Sequence, residues 1–80
     1  MVTITALFFS YAADRMNERS RQFQVKDGTT IAELFQKEWA QDLAEPIETF
    51  LFSVNADWAD RTQPLHHGDE VAVIPPVSGG

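Results

Sequence analysis

The sequence predicts an α+β fold: a mixed sheet of four to five strands with one main helix lying across one face. Three observations predict it. Residues 2–9 alternate with the period of two that a strand requires. Residues 30–43 carry a helix-start signature followed by an apolar stripe at helical spacing. Residues 70–74 are apolar on both alternating faces, as in a central strand. A chain of 80 residues is one domain's worth. So short a chain buries only roughly 60% of its unfolded surface, and the six Phe and two Trp supply the bulky packing units that offset this.

Taken in order, Val2, Ile4, Ala6 and Phe8 form one face of the first strand, and Thr3, Thr5, Leu7 and Phe9 the other. The second set turns apolar toward the strand's end, which makes Leu7 and Phe9 either an exposed patch able to bind a partner or a pair covered by a neighbouring loop. Ser10 to Arg19 is polar and too long for a two-residue hairpin, so a loop with a helical turn is expected. Ser20 to Val25 places Phe23 and Val25 on one side and Gln22 and Gln24 on the other, a half-buried strand antiparallel to the first. Asp27-Gly28 is a turn signal, and Thr30 with Glu33 three residues later fits a capping box. Ile31, Leu34, Phe35, Trp39 and Leu43 form the buried stripe of the helix, with Glu33 and Lys37 as a surface i,i+4 pair outside it. Glu45-Pro46 ends the helical region. Phe50 to Val54 reads as a third strand, Asn55-Ala56-Asp57 as a turn, Trp58 and Ala59 as a short fourth strand, and Leu65 as the core anchor of the connection from Asp60 to His67. Glu70 to Ile74 is the last strand, with Val71 and Val73 on one face and Ala72 and Ile74 on the other. Two strands, a capped helix, and further strands whose last returns to the middle, parallel to the first, is the order of a β-grasp.

Charge and composition exclude several classes. Six basic against twelve acidic residues give 6 − 12 = −6, which disfavours nucleic acid and anionic membrane and suits equally a basic protein partner or solubility alone. With no Cys there is no disulfide, no thiolate metal site and no thiol nucleophile. No apolar run approaches the roughly 20 residues of a membrane span, and the N-terminus has no signal-like pattern, so a cytoplasmic location is expected. His66-His67 has no metal-ligand spacing and reads as decoration of the turn before Gly68. Gly28 and Gly68 are isolated turn glycines rather than a phosphate loop, and no Ser/His/Asp arrangement or isolated carboxylate pair stands out. Side chains of this chain are not expected to be catalytic.

The remaining chemistry is at the end of the sequence, Pro75-Pro76-Val77-Ser78-Gly79-Gly80. Taken alone, Gly79 and Gly80 read equally as a frayed end or, lacking a Cβ, as a backbone and α-carboxylate able to enter a channel too narrow for side chains. Pro75 and Pro76 remove two donors and fix φ, ending sheet pairing and giving a stiff extended lead-in. Residues 1–74 are thus read as the folded body and 75–80 as an extended tail. This ending, with Pro64-Leu65 and Gly68-Asp69-Glu70-Val71 before it, Leu7-Phe8-Phe9 in the first strand and Val54-Asn55 at the end of the third, resembles the small subunit of molybdopterin synthase, a ubiquitin-like sulfur carrier family. Tyr11 to Arg19 fits that family's arginine-containing segment only loosely.

The resemblance implies that Gly80 is the modified residue: a ubiquitin-activating-like adenylyltransferase uses ATP to form an acyl adenylate there, and sulfur displaces AMP to give a thiocarboxylate. It implies that Gly79, Ser78, Val77, Pro76 and Pro75 lie along a groove of the large synthase subunit. There the sulfur passes to cyclic pyranopterin monophosphate, and the catalytic side chains belong to that subunit. Leu7, Phe9, Ala72 and Ile74 are the candidate docking face. No permanently bound cofactor and no metal are expected. The alternatives are another ubiquitin-like sulfur carrier, serving thiamine or tRNA thiolation, and a binding or conjugation module that is never thiolated.

Overall fold

The computed structural model describes residues 1–76. The strands are β1 (Val2–Phe8), β2 (Ser20–Val25), β3 (Leu51–Val54), β4 (Asp57–Ala59) and β5 (Glu70–Ile74). They form one five-stranded sheet in the order β2-β1-β5-β3-β4. β2 runs antiparallel to β1, with Val2 opposite Val25 and Leu7 opposite Ser20. β5 runs parallel to β1, with Thr5 opposite Glu70 and Phe8 opposite Val73. The last strand therefore does occupy the centre, the position its two apolar faces require.

Helical segments cover one face. The helix α1 (Tyr11–Met16) fills the connection between β1 and β2. The main helix is built from α2 (Ile31–Leu34), a π-helical turn (Phe35–Trp39) and α3 (Ala40–Leu43). Its start is the expected capping box: the Thr30 hydroxyl accepts the Glu33 N–H at 3.2 Å, and Glu33 Oε1 accepts the Thr30 N–H at 2.9 Å. These backbone and hydroxyl donors hold the Glu33 carboxyl below its usual range. The cap also corrects the expected surface pair, since the Glu33 carboxylate is turned back onto Thr30 rather than forward to Lys37. The helix ends at Ala44, in the left-handed region at φ 57°. A 3-10 turn at Ile47–Thr49 then leads into β3.

The core lies between helix and sheet. Ile31, Leu34, Phe35, Trp39 and Leu43 are all buried, facing Ile4, Ala6 and Phe8 of β1 and Val71 and Val73 of β5. Trp39 is its hub, meeting Phe8, Phe23 and Phe35 edge to face at ring separations of 5.7, 5.8 and 6.4 Å. Leu65 is fully buried and anchors the long connection, which is stitched to the helix start by Leu65 N–H to Thr29 O and Gly28 N–H to Leu65 O, both 2.8 Å. Asp57, expected in the turn, is the first residue of β4. The turn itself is Asn55 and Ala56, both at positive φ.

Candidate docking face

The helices cover the sheet face that carries Ile4, Phe8, Phe52 and Val73, and no described helix covers the other. Strand alternation puts Thr3, Thr5 and Leu7 on that open face from β1, Glu70, Ala72 and Ile74 from β5, Leu51 and Ser53 from β3, and Trp58 from β4. The face is divided. Its half toward the start of β1 is polar, with Thr3, Thr5, Gln22, Gln24 and Glu70. Its half toward the end of β5 is apolar, with Leu7, Ala72, Ile74, Leu51 and Trp58. Among the described residues, Glu70 is the only charged side chain that the strands place on it.

Two cross-sheet rows make up the apolar half. The first runs Leu7, Ala72, Ser53, Trp58 and the second runs Phe9, Ile74, Leu51. Phe9 extends β1 by one further bond, its N–H donating to Val73 O at 3.2 Å. Ser10 then turns the chain into α1 at φ 51°, ψ −137°, a conformation costly for any residue with a Cβ. That turn leaves Phe9 47% exposed beside an open depression of about 870 Å³ lined by Leu7, Phe9, Ser10, Ala13, Asn17 and Arg19. Among the described residues no loop closes over Phe9.

Of the residues expected to dock, Leu7 and Ile74 are half-buried, Phe9 is exposed, and Ala72 is buried between Leu7 and Ser53, so it offers shape more than area. Pro75 is buried and Pro76 exposed. Val77, Ser78, Gly79 and Gly80 lie outside the described residues. Sequence reasoning missed Leu51 and Trp58, which are 58% and 73% exposed and form the far end of both rows. Their signal was present as an apolar residue at alternate positions of a short strand pair, but a partner face cannot be assigned without the register.

The opposite end of the sheet is a polar turn cluster. His66 Nδ1 lies 2.9 Å from Asp27 Oδ1, and this hydrogen bond and the carboxylate charge raise the His66 pKa. His67 Nδ1 accepts the Thr3 N–H at 3.2 Å. His66 thus ties its turn to the Asp27 side chain, and His67 to the backbone of β1. Among the described residues no group of three or more His, Cys, Asp or Glu is placed to hold a metal ion, and no polar or charged side chain is buried. No described helix is long and apolar enough to cross a membrane.

Known proteins resemble the chain in sequence and in fold. A molybdopterin synthase sulfur carrier subunit from Chlamydomonas reinhardtii is 30% identical over 81 residues, covering 96% of this chain and 98% of that protein. The crystal structure of SAMP1 from Haloferax volcanii superposes with a TM-score of 0.81 at 22% identity, over 98% of this chain and 99% of that one. A chain from the complex of subunits 1 and 2 of the molybdopterin-converting factor of Helicobacter pylori 26695 superposes at 0.68 with 24% identity, over 99% and 100%. At these identities the solved structures speak for the ubiquitin-like β-grasp fold. A family model described as the ThiS family matches residues 7–80, nearly the whole sequence and its Gly-Gly end included, and the chain belongs to that family.

Proposed function

We propose that this chain is the sulfur-carrying small subunit of a molybdopterin synthase, and that the Gly80 carboxylate carries the sulfur. The observation that supports it most directly is that the central strand ends, at Ile74, on the apolar and nearly uncharged half of an open sheet face. A partner can grip the body there while the residues after Pro76 reach its active site. The similarity to a sulfur carrier subunit along 96% of the chain supports the same reading.

The chemistry follows from a carboxylate being a poor acyl donor. An adenylating partner attacks ATP with the Gly80 carboxylate, releasing pyrophosphate and leaving an acyl adenylate. A sulfur nucleophile adds to the carbonyl carbon and expels AMP, so one carboxylate oxygen departs in AMP and the carbon keeps one oxygen and one sulfur. In the large subunit, the thiocarboxylate sulfur bonds to a side-chain carbon of the cyclic pyranopterin monophosphate as the carbon–oxygen bond there breaks, the oxygen leaving as water or with the opened phosphate ester. Water cleaves the acyl–sulfur bond and restores the carboxylate for another round. The body contributes docking, and the paired glycines contribute a backbone slim enough to thread. The Helicobacter pylori complex of subunits 1 and 2 supports the pairing with a large subunit.

Intact-mass spectrometry after co-expression with the adenylating enzyme and a sulfur donor tests this. The expected result is a mass increase equal to one oxygen replaced by sulfur, confined to the C-terminal peptide. An unchanged mass beside an enzyme shown to be active on another carrier overturns the proposal. Sulfur on Gly80 that moves to a thiazole precursor or to tRNA, and never to a pterin, keeps the carrier chemistry and replaces the synthase.

A further inference from the structure

The two edges of the sheet differ. β4, at one edge, has three residues, too short a length to recruit another strand. β2, at the other, has six and contains no proline. Which of its backbone groups are spare follows from the ladder. The Phe8 N–H donates to Arg19 O at 2.8 Å, so in the antiparallel register the groups of Arg21, Phe23 and Val25 also point to β1. Those of Ser20, Gln22 and Gln24 point away from the sheet. Among the described residues no strand pairs with them and no loop backbone bonds to them, and all three residues are exposed. An edge of this length, without a proline, a bulge or a central lysine, is a template for a further strand.

This edge is complementary to itself about Gln22. A two-fold axis through Gln22, perpendicular to the sheet, sets Gln22 opposite its own copy and Ser20 opposite Gln24. Every outward N–H and C=O of the three residues is then used in both chains. The same axis sets Glu18 opposite Lys26 at both ends, so that opposite charges meet and no two like charges do. On the helix side Arg21, whose guanidinium lies 5.3 Å from the centre of its own Phe23 ring, comes opposite Phe23 of the copy. Centring the axis on Phe23 instead carries Ser20 past the end of the copied strand.

We infer that β2 is a self-association edge, at which two copies of this chain join as an antiparallel two-fold pair and make one continuous sheet. A second copy is the occupant because hydrogen-bonding groups and charges match under a single axis. The pairing leaves the rest of each body open. β5 lies two strands in from β2, so the two β5 strands stand five strand spacings, about 24 Å, apart. They run in opposite directions, so the chain beyond Ile74 leaves from opposite ends of the pair. An axis perpendicular to the sheet also keeps both open faces on one side. The inference is independent of the carrier reading, and its test needs neither a partner protein nor sulfur.

Sedimentation of the full-length chain from about 10 μM to about 1 mM, with amide hydrogen exchange at both ends of that range, is the test. One added strand pair buries little area, so half-dimerisation is expected at roughly a few hundred micromolar. The amides of Gln22 and Gln24 are to gain protection with concentration, and those of Arg21 and Phe23, already bonded to β1, are to keep theirs. Gln22→Lys puts two ammonium groups on the axis, and Gln22→Pro removes an outward donor without touching the β1 ladder; each is expected to weaken dimerisation by about tenfold or more. Lys26→Glu is expected to weaken it by about threefold or more, and adding Glu18→Lys to that variant is expected to restore it. Melting temperatures taken at the lowest concentration separate folding from association, and the comparison is made among variants that melt together. A wild-type chain that stays monomeric at about 1 mM overturns the inference, also where the edge then takes a strand from another protein. A dimer that both Gln22 variants leave within about twofold of wild type overturns it too, because the contact then lies elsewhere.

Discussion

Replacing Phe9 with alanine divides into two measurable losses, because the ring divides its surface between the fold and solvent. The residue is 47% exposed. A phenylalanine side chain offers about 200 Å², so about 90 Å² faces outward and about 110 Å² is packed against the body. At about 25 cal/mol per Å², covering the outward part contributes about 2 kcal/mol to docking, a factor of about 30 in Kd. The packed part contributes at most about 3 kcal/mol to folding, an upper value because an unfolded chain already hides some of that surface. In a domain of this size a loss of about 2 kcal/mol lowers the melting temperature by roughly 10 °C. Phe9→Ala is therefore expected to fold, to melt near that lower temperature, and to bind the large subunit about 30-fold more weakly by calorimetry at a temperature where it is fully folded. Phe9→Asp is expected to bind more weakly still, since a carboxylate would be buried without a partner. A drop in melting temperature of this size with Kd unchanged within about twofold refutes the reasoning, because it would mean that the outward half of the ring stays outward in the complex.

Three further outcomes follow from named contacts. Deleting Gly80 is expected to abolish synthesis of the pterin dithiolene in a reconstituted assay and to leave the melting temperature of the body unaltered; a shifted melting temperature would show that the tail serves the fold. Thr30→Ala removes the hydroxyl of the capping box and is expected to cost about 1 kcal/mol at neutral pH. Because the Glu33 carboxyl is held below its usual value of 4.5, the cap's contribution is present above that pH and is lost as pH falls through the depressed folded-state value, so the melting curves of wild type and variant converge in acid. His66 is shifted the other way by Asp27: its contribution is full below the ordinary value of 6.5 and disappears as pH rises through the elevated folded-state value. The gap in melting temperature between wild type and His66→Gln is expected to close on the alkaline side, and a gap that widens there contradicts the pairing.

The fold was legible where a periodic pattern was long enough to have one reading. Val2 to Phe9, Thr30 to Leu43 and Glu70 to Ile74 each repeat their signal several times, and each is found close to the predicted bounds. The π-helical turn was not read, although the sequence contains its cause. Phe35, Trp39 and Leu43 are spaced by four, and each such step overshoots a turn of 3.6 residues by about 40°. On a straight α-helix the three would spiral off the buried face. The wider hydrogen-bonding of Phe35–Trp39 takes up the excess, and all three end fully or nearly fully buried. The Glu33–Lys37 pair failed for a related reason: a carboxylate at the third helical position has two orphan donors of Thr30 within reach, and these outcompete a solvated ammonium one turn away.

The docking face was only half legible, and the dividing line is set by strand length. Leu7, Phe9, Ala72 and Ile74 belong to strands of seven and five residues or their direct extension, where alternation fixes which side chains share a face. β4 has three residues, too few for a period to emerge, and β3 has four. Whether Trp58 faces the core or the solvent depends on a single register step, since a slip of one residue moves every side chain to the other face. Nothing in the order of residues 57–59 decides that step. It is decided by Asn55, whose side chain binds both Asp69 and Glu70 across the sheet. That clamp sets Val54 opposite Val71, and the two-residue turn of Asn55 and Ala56 sets Val54 opposite Asp57, so that Ser53, Ala72 and Trp58 fall in one line on the open side. An asparagine that looks like ordinary turn chemistry in the sequence is therefore what turns a tryptophan outward.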